Sequence, residues 1–291
     1  MKPSVYDIKE IQAKSILTPC RIPGIDFTVN PYIGCRFGCI YCYASFMGRF
    51  VDKQISDWGS YVFPKINAPE LLAKEIQTKL KNKGKGKEIF FSSVTDCYQG
   101  LEAKYKLTRN CFQVLADSGF EGVLSILTKS KLVTRDIDIL KKIKHVTVGL
   151  TVTSTDDTIS RYFETYAPNV HERYETLKIL NDNGIPTYAF LGPLLPHFVA
   201  EEKEIEKIFQ KLTEVGTKDL YIEHLNFSPY IKKRMLAEMM DAPKEIIEKF
   251  YSSQSKSYRD DLNKIIDKLV KKYRMNLLLD MVIYHKEFMK N

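Results

Sequence analysis

Asn30-Pro31-Tyr32-Ile33-Gly34-Cys35-Arg36-Phe37-Gly38-Cys39-Ile40-Tyr41-Cys42-Tyr43-Ala44 is the stretch from which this chain is read. Half of the six cysteines fall within it, at Cys35, Cys39 and Cys42, spaced C-x3-C-x2-C. On a loop, that spacing lets three thiolates converge on one metal centre, and Gly34 and Gly38 supply the permissive backbone a tight wrap requires. Thiolates select zinc, copper(I) or iron–sulfur clusters. Structural zinc takes four protein ligands. A fourth would have to be Cys20, upstream, or a distant His or Cys, and none of His145, His171, His197, His224 and His285 is paired at zinc-ligand spacing. Soluble ferredoxin-type clusters use four cysteines. Three fit a cubane that leaves one iron open to substrate or cofactor, which points to a catalytic centre, with Tyr41 as an aromatic face beside the open iron.

Working outward, short apolar runs alternate with longer amphipathic stretches. The runs at 26–29, 88–94, 122–128, 145–151, 186–191 and 219–223 read as strands. Helices are expected over 69–81, 104–117, 133–143, 170–183 and 201–214, several stopping near Gly119, Gly184 or Gly216, which suits a left-handed helix end. Strand–helix alternation argues a parallel α/β architecture. Six units fall short of a closed eight-stranded barrel, so the expectation is an open or partial barrel with the cysteines on its first βα loop, where barrel chemistry is built. After Glu223 the pattern changes: helices are expected over 243–251 and 258–274, with 276–287 ambiguous. The chain divides on this reading into a barrel with its lead-in, 1–225, and a basic, mainly helical extension, 226–291.

The chain of 291 residues carries a net charge of +8, and 27% of its residues are charged. Such a length buries a core without disulfide or metal staples. The extension holds 14 Lys/Arg against 9 Asp/Glu. A second basic spot is the lysine loop Lys79-Leu80-Lys81-Asn82-Lys83-Gly84-Lys85-Gly86-Lys87. Both read first as solvated surface and second as phosphate contacts. Residues 1–10 show no apolar signal region, and no run reaches the roughly 18 apolar residues of a membrane span. A cytoplasmic protein with reduced thiols and no membrane partner is expected.

The cysteine stretch resembles the signature of the radical S-adenosylmethionine (SAM) superfamily, C-x3-C-x-aromatic-C, carried here by Cys35, Cys39, Tyr41 and Cys42. Finer motifs are similar to the spore photoproduct lyase-like branch, often labelled DNA repair photolyases: Asn30-Pro31-Tyr32, Ile40-Tyr41-Cys42-Tyr43-Ala44, Ser93-Val94-Thr95-Asp96, Leu127-Thr128-Lys129-Ser130 and Thr134-Arg135-Asp136-Ile137-Asp138. They run in family order from about residue 27 to 225. The resemblance implies a partial (β/α)6 TIM-type barrel and a 4Fe–4S cluster on Cys35, Cys39 and Cys42, with SAM chelating the fourth iron. It also implies an external electron donor of the flavodoxin or ferredoxin type. Reduction would cleave SAM to methionine and a 5′-deoxyadenosyl radical that abstracts hydrogen from substrate.

Beside that resemblance, strand ends supply candidate SAM contacts. Ser93, Thr95 and Asp96 lie within reach of a methionine ammonium group, with Asp96 its natural charge partner. Lys129 would neutralise the carboxylate, and Thr151, Thr153 and Ser154 would hydrogen-bond ribose hydroxyls. Arg135-Asp136 and Arg173 are expected to form salt bridges around the barrel rim. The chain departs from the branch at Glu164-Thr165, where Glu-Pro is usual, and at Cys97, where proline is common. The cysteine that donates hydrogen in spore photoproduct lyase aligns with Ser93, which leaves Cys97 as the candidate catalytic thiol and core packing as its alternative.

Three functions remain open on the sequence: a radical SAM enzyme acting on a nucleic acid base, one acting on a small molecule or peptide, and a zinc- or cluster-bearing nucleic-acid-binding module. Tyr32, Tyr43, Phe46, Phe50 and Trp58 lie near the cluster in sequence and are candidates for stacking on a base, with core packing as the first reading of each. A closed cavity with the lysine loop far from its mouth would favour the second function.

Overall fold

The computed structural model describes residues 6–285 apart from His197. Residues 1–5, the start of the segment read for a signal, and 286–291, which include the last of the ambiguous stretch, lie outside the described residues.

The six expected strands form, as β1 (Phe27–Val29), β2 (Glu88–Phe91), β3 (Val123–Thr128), β4 (His145–Val152), β5 (Thr187–Leu194) and β6 (Asp219–His224). They pair in chain order and all in parallel, in register Phe27 to Ile89, Ile89 to Leu124, Leu124 to Val146, Leu150 to Ala189 and Leu220 to Ala189. Val148, Leu150 and Val152 of β4 and Ala189 and Leu191 of β5 are buried, as expected of strands covered on both faces. The sheet has eight strands, because Thr18–Pro19 adds antiparallel to β1 and Asn276–Leu277 adds parallel to β6. Two residues are too few to display a period-2 pattern, so neither edge was legible in the sequence. The fold is the expected α/β partial barrel, left open between these edges.

Helices α1 (Ala68–Lys79), α2 (Leu107–Asp117), α3 (Val170–Asp182) and α4 (Glu202–Glu214) return the chain between strands. Two expected helices are cut. The stretch 104–117 breaks at Lys106, whose φ is 54°, because the buried Glu102 carboxylate caps the second piece by accepting from Thr108 N at 3.0 Å and Arg109 N at 3.2 Å. The stretch 133–143 becomes a 3-10 segment Lys131–Asp136 and one α-turn, Ile137–Leu140. There Asp136 is drawn inward to accept from Tyr98 at 3.0 Å and to pair with Arg109 and Arg135 at 2.8 and 2.7 Å.

A second, three-stranded sheet joins Asp7–Ile8, Tyr61–Pro64 and Tyr32–Ile33, the last antiparallel to its neighbour. It positions the backbone that enters the cysteine loop. Beyond β6, helices α5 (Pro229–Glu238), α6 (Lys244–Ser252) and α7 (Lys256–Tyr273) lie against the barrel. Lys268 and Lys272 of α7 pair with Glu202 and Glu206 of α4. Some of the extension's basic charge is therefore neutralised within the molecule. Among the described residues no helix is long and apolar enough to cross a membrane.

Candidate active site

The cysteine loop begins at the carboxyl end of β1 and is tied to the ends of the neighbouring strands. Asn30 donates to Ser93 Oγ at 2.8 Å and accepts from Val94 N at 3.0 Å. Thr95 Oγ1 donates to Gly34 O at 2.6 Å, and the Tyr43 hydroxyl donates to the Ser93 carbonyl. Gly34 has φ +86°, and a Cβ there would stand 2.4 Å from Tyr61 O. Only glycine makes this turn against the second sheet.

Cys35 and Cys39 are buried, Cys42 is half-buried, and none is in a disulfide. Burial pushes all three thiols up, Cys39 to about 12. Among the described residues no three His, Cys, Asp or Glu side chains form a group that could hold one metal ion. A cubane distributes its thiolates over several irons, so it does not need three of them on one ion. The surroundings suit an anionic cluster. The Arg234 guanidinium reaches the loop from α5, and Lys129 and Arg173 lower the Cys39 thiol against the burial that raises it. The buried polar atoms Ser45 Oγ and Gln99 Nε2 have no partner.

Beside the loop lies a buried charge network. Glu164 accepts from the Tyr41 hydroxyl and pairs with Arg173 at 2.5 Å. Ser160 donates to it at 2.9 Å and Thr153 at 3.3 Å. Burial alone would raise the Glu164 carboxyl, but Arg173 and Lys129 outweigh it and hold it at about 2. Arg173 also donates to Thr151 O at 3.1 Å and to Pro168 O. It forms the expected salt bridge, but wholly buried inside the wall rather than on an exposed rim. Lys129 Nζ sits 3.7 Å from Glu164 and 5.9 Å from the Tyr41 ring centroid, with 15% of its side chain exposed. Its ammonium makes no hydrogen bond among the described residues, so its donors remain open to an anion.

Asp96 is buried at the end of β2. It accepts from Thr128 Oγ1 at 2.7 Å, Tyr98 N at 2.9 Å and Lys129 N at 2.9 Å, clasping β2 to β3 while burial raises its carboxyl. One oxygen accepts only from Lys129 N and keeps a lone pair. Thr151, Thr153 and Ser154 are buried at the end of β4, where Ser154 Oγ accepts from Asp156 N at 2.8 Å. Cys97 lies wholly within the hydrophobic core, and burial raises its thiol far above the ordinary range. Tyr32 and Trp58 are core residues. Tyr43 and Phe50 are 42% and 61% exposed beside the loop, and Arg49 stands 4.8 Å from the Phe50 ring centroid and 5.1 Å from that of Phe46.

The lysine loop is elsewhere. Lys87 pairs with Asp26 ahead of β1, and its carbonyl accepts from Val123 N at the start of β3. That is the amino end of the barrel, opposite the cysteines. An open cavity of about 660 Å³ follows β4 and β5, lined by Asp156, Asp157, Glu201, Glu204 and Lys207 among others.

Arg234 was not foreseen from sequence. Its available signal was a charged residue between Ile231 and Met235, both on the buried side of a helix.

The family model described as the radical SAM superfamily matches residues 29–212. The uncharacterized protein MJ0683 of Methanocaldococcus jannaschii is 38% identical over 223 residues, covering 77% of this chain and 79% of that protein. Among solved structures, spore photoproduct lyase complexed with dinucleoside spore photoproduct superposes with a TM-score of 0.68 at 13% identity, covering 94% of this chain and 81% of that one. Streptococcus suis SuiB bound to precursor peptide SuiA gives 0.54 at 13% identity, covering 90% and 49%. At these identities the structural likenesses show the fold.

Proposed function

The chain belongs to the radical SAM superfamily, and from that membership we propose that Cys35, Cys39 and Cys42 hold a 4Fe–4S cluster against which S-adenosylmethionine binds. When bound, the pair supplies one-electron cleavage of SAM and hydrogen abstraction from substrate, chemistry that belongs to the cofactor rather than to the protein. The observation that carries this reading is the loop itself: three thiols at the carboxyl end of the barrel, beside the Lys129–Glu164–Arg173 network.

The chain's own residues orient and neutralise. Lys129 faces the methionine carboxylate. It can be drawn off Glu164 at 3.7 Å because Arg173, at 2.5 Å, still compensates that buried carboxylate. The free lone pair of Asp96 accepts from the methionine ammonium, with Ser93 and Thr95 fixing the strand end around it. Thr151, Thr153 and Ser154 offer oxygens to the ribose, and Tyr41 closes the loop over the network. A flavodoxin- or ferredoxin-type donor provides the electron.

The substrate reading is a nucleic acid base. Tyr43, Phe46 and Phe50 with Arg49 form an aromatic and cationic surface next to the loop, the combination on which bases stack. The spore photoproduct lyase structure is of a complex with a dinucleoside. A small-molecule or peptide substrate is the second reading. It is favoured by the lysine loop at the far end of the barrel and by the acid-rich lining of the cavity after β4 and β5, which repels phosphates, although that cavity is open rather than the closed one this reading expects. Binding of single- and double-stranded DNA, titrated against salt, separates the two. Affinity that falls steeply with salt and is weakened by Arg49→Ala supports the base. No affinity at low ionic strength rejects it.

A further inference from the structure

Helix α5 carries to the cysteine loop a charge that forms no ion pair with a carboxylate among the described residues. Arg234 is 6% exposed. Its Nη1 donates to Cys39 O at 2.7 Å and to Ile40 O at 2.8 Å, and its Nη2 donates to Gly38 O at 3.2 Å. Its Nε is buried with no partner. No described carboxylate forms an ion pair with it, although the field of Glu238, one turn along α5, reaches it. Carbonyl dipoles satisfy part of a guanidinium but leave its charge in a dry setting, and a buried charge without a counter-charge is strongly disfavoured. The carbonyls it grips belong to the loop of Cys39 and Cys42, and the fields of both thiols reach it.

We infer that Arg234 is a positioning residue for the iron–sulfur cluster: it fixes the backbone of residues 38–40 and supplies the positive charge that makes the cluster easier to reduce. This rests on the cluster assignment above. A cluster on three thiolates is anionic and gains a further negative charge on reduction, so a fixed cation stabilises the reduced form more than the oxidised one. Net charge and solvent exposure are among the levers that set such potentials, and outer-shell groups tune a metal site through its ligands. The carboxyl-terminal extension thereby acquires a role, since α5 covers the cluster loop and places this charge.

The test is a redox titration of the anaerobically reconstituted full chain, followed by electron paramagnetic resonance, on wild type, Arg234→Gln and Arg234→Lys. Iron and sulfide are counted on each sample. Arg234→Gln is expected to load the cluster. At a fixed poise its reduced-to-oxidised ratio should be at least tenfold lower, equal to about 59 mV for a one-electron couple. Arg234→Lys keeps the charge and should stay within about threefold of wild type. Equal potentials in wild type and Arg234→Gln would overturn the inference, leaving Arg234 a purely structural clamp. So would a shift as large in Arg234→Lys as in Arg234→Gln. If Arg234→Gln fails to load, Arg234→Lys decides: a loaded, wild-type-like cluster supports the charge, and an unloaded one refutes it. A wild type that takes up no iron or sulfide would instead remove the cluster assignment itself.

Discussion

The guanidinium of Arg173 meets the carboxylate of Glu164 at 2.5 Å, with neither side chain exposed to solvent. Glu164 also accepts from the Tyr41 hydroxyl, so the pair is joined directly to the residue before Cys42. Breaking a buried pair from one side costs about 3–5 kcal/mol when the remaining charge is left uncompensated, and Lys129, 3.7 Å from Glu164, still faces that carboxylate. Arg173→Met should therefore lower the unfolding free energy by less than that amount, and Arg173→Met with Glu164→Gln should recover part of it. Denaturant unfolding of the two single variants and the double variant measures the coupling.

The same carboxylate sets part of the acid limit. Its folded value is about 2, below the ordinary 4.5. A depressed acid contributes stability above the unfolded value and loses it as pH falls through the folded one. The Glu164 contribution should therefore be complete above about pH 4.5 and decline from there toward pH 2. In Glu164→Gln the stability profile should be flatter across that window.

Cysteine replacement should divide the six thiols cleanly. Cys35→Ala, Cys39→Ala and Cys42→Ala should each lose the cluster's iron and sulfide, because three ligands leave no spare. Cys20→Ser, Cys97→Ala and Cys111→Ala should retain both. Metal and sulfide analysis after anaerobic reconstitution reads the result, and iron retained without one of the first three would displace the assigned ligands.

Gly34→Ala meets two penalties at once: a left-handed backbone at φ +86° and a Cβ 2.4 Å from Tyr61 O. Gly24→Ala shares the first, at φ +83°, with nothing within 4 Å. The backbone penalty alone is roughly 1–2 kcal/mol. Gly24→Ala should cost about that, whereas Gly34→Ala should cost more and reduce iron loading as the loop shifts. Thermal unfolding with iron analysis on both variants compares them.

The parts of this architecture that repeat locally were legible in the sequence. Val146, Val148 and Leu150 announce a strand by their neighbours alone, and Cys35, Cys39 and Cys42 announce a centre by spacing. What sequence spacing could not convey were contacts across the fold. Arg234 lies 195 residues from Cys39, and Glu164 lies 123 from Tyr41. The cut at Lys106 depends on where the Glu102 carboxylate is held, and the inward turn of Asp136 depends on Arg109 and Arg135. Local helix propensity is overridden there by tertiary ion pairs.

Radical chemistry at the cysteine loop underlies the proposed function. Its most direct test is to incubate the anaerobically reconstituted protein with dithionite and SAM and to assay 5′-deoxyadenosine, beside Cys39→Ala treated identically. Wild type should form the nucleoside and the variant none. Wild type carrying a full cluster yet forming no nucleoside with dithionite, in the presence or absence of DNA or peptide, would contradict it.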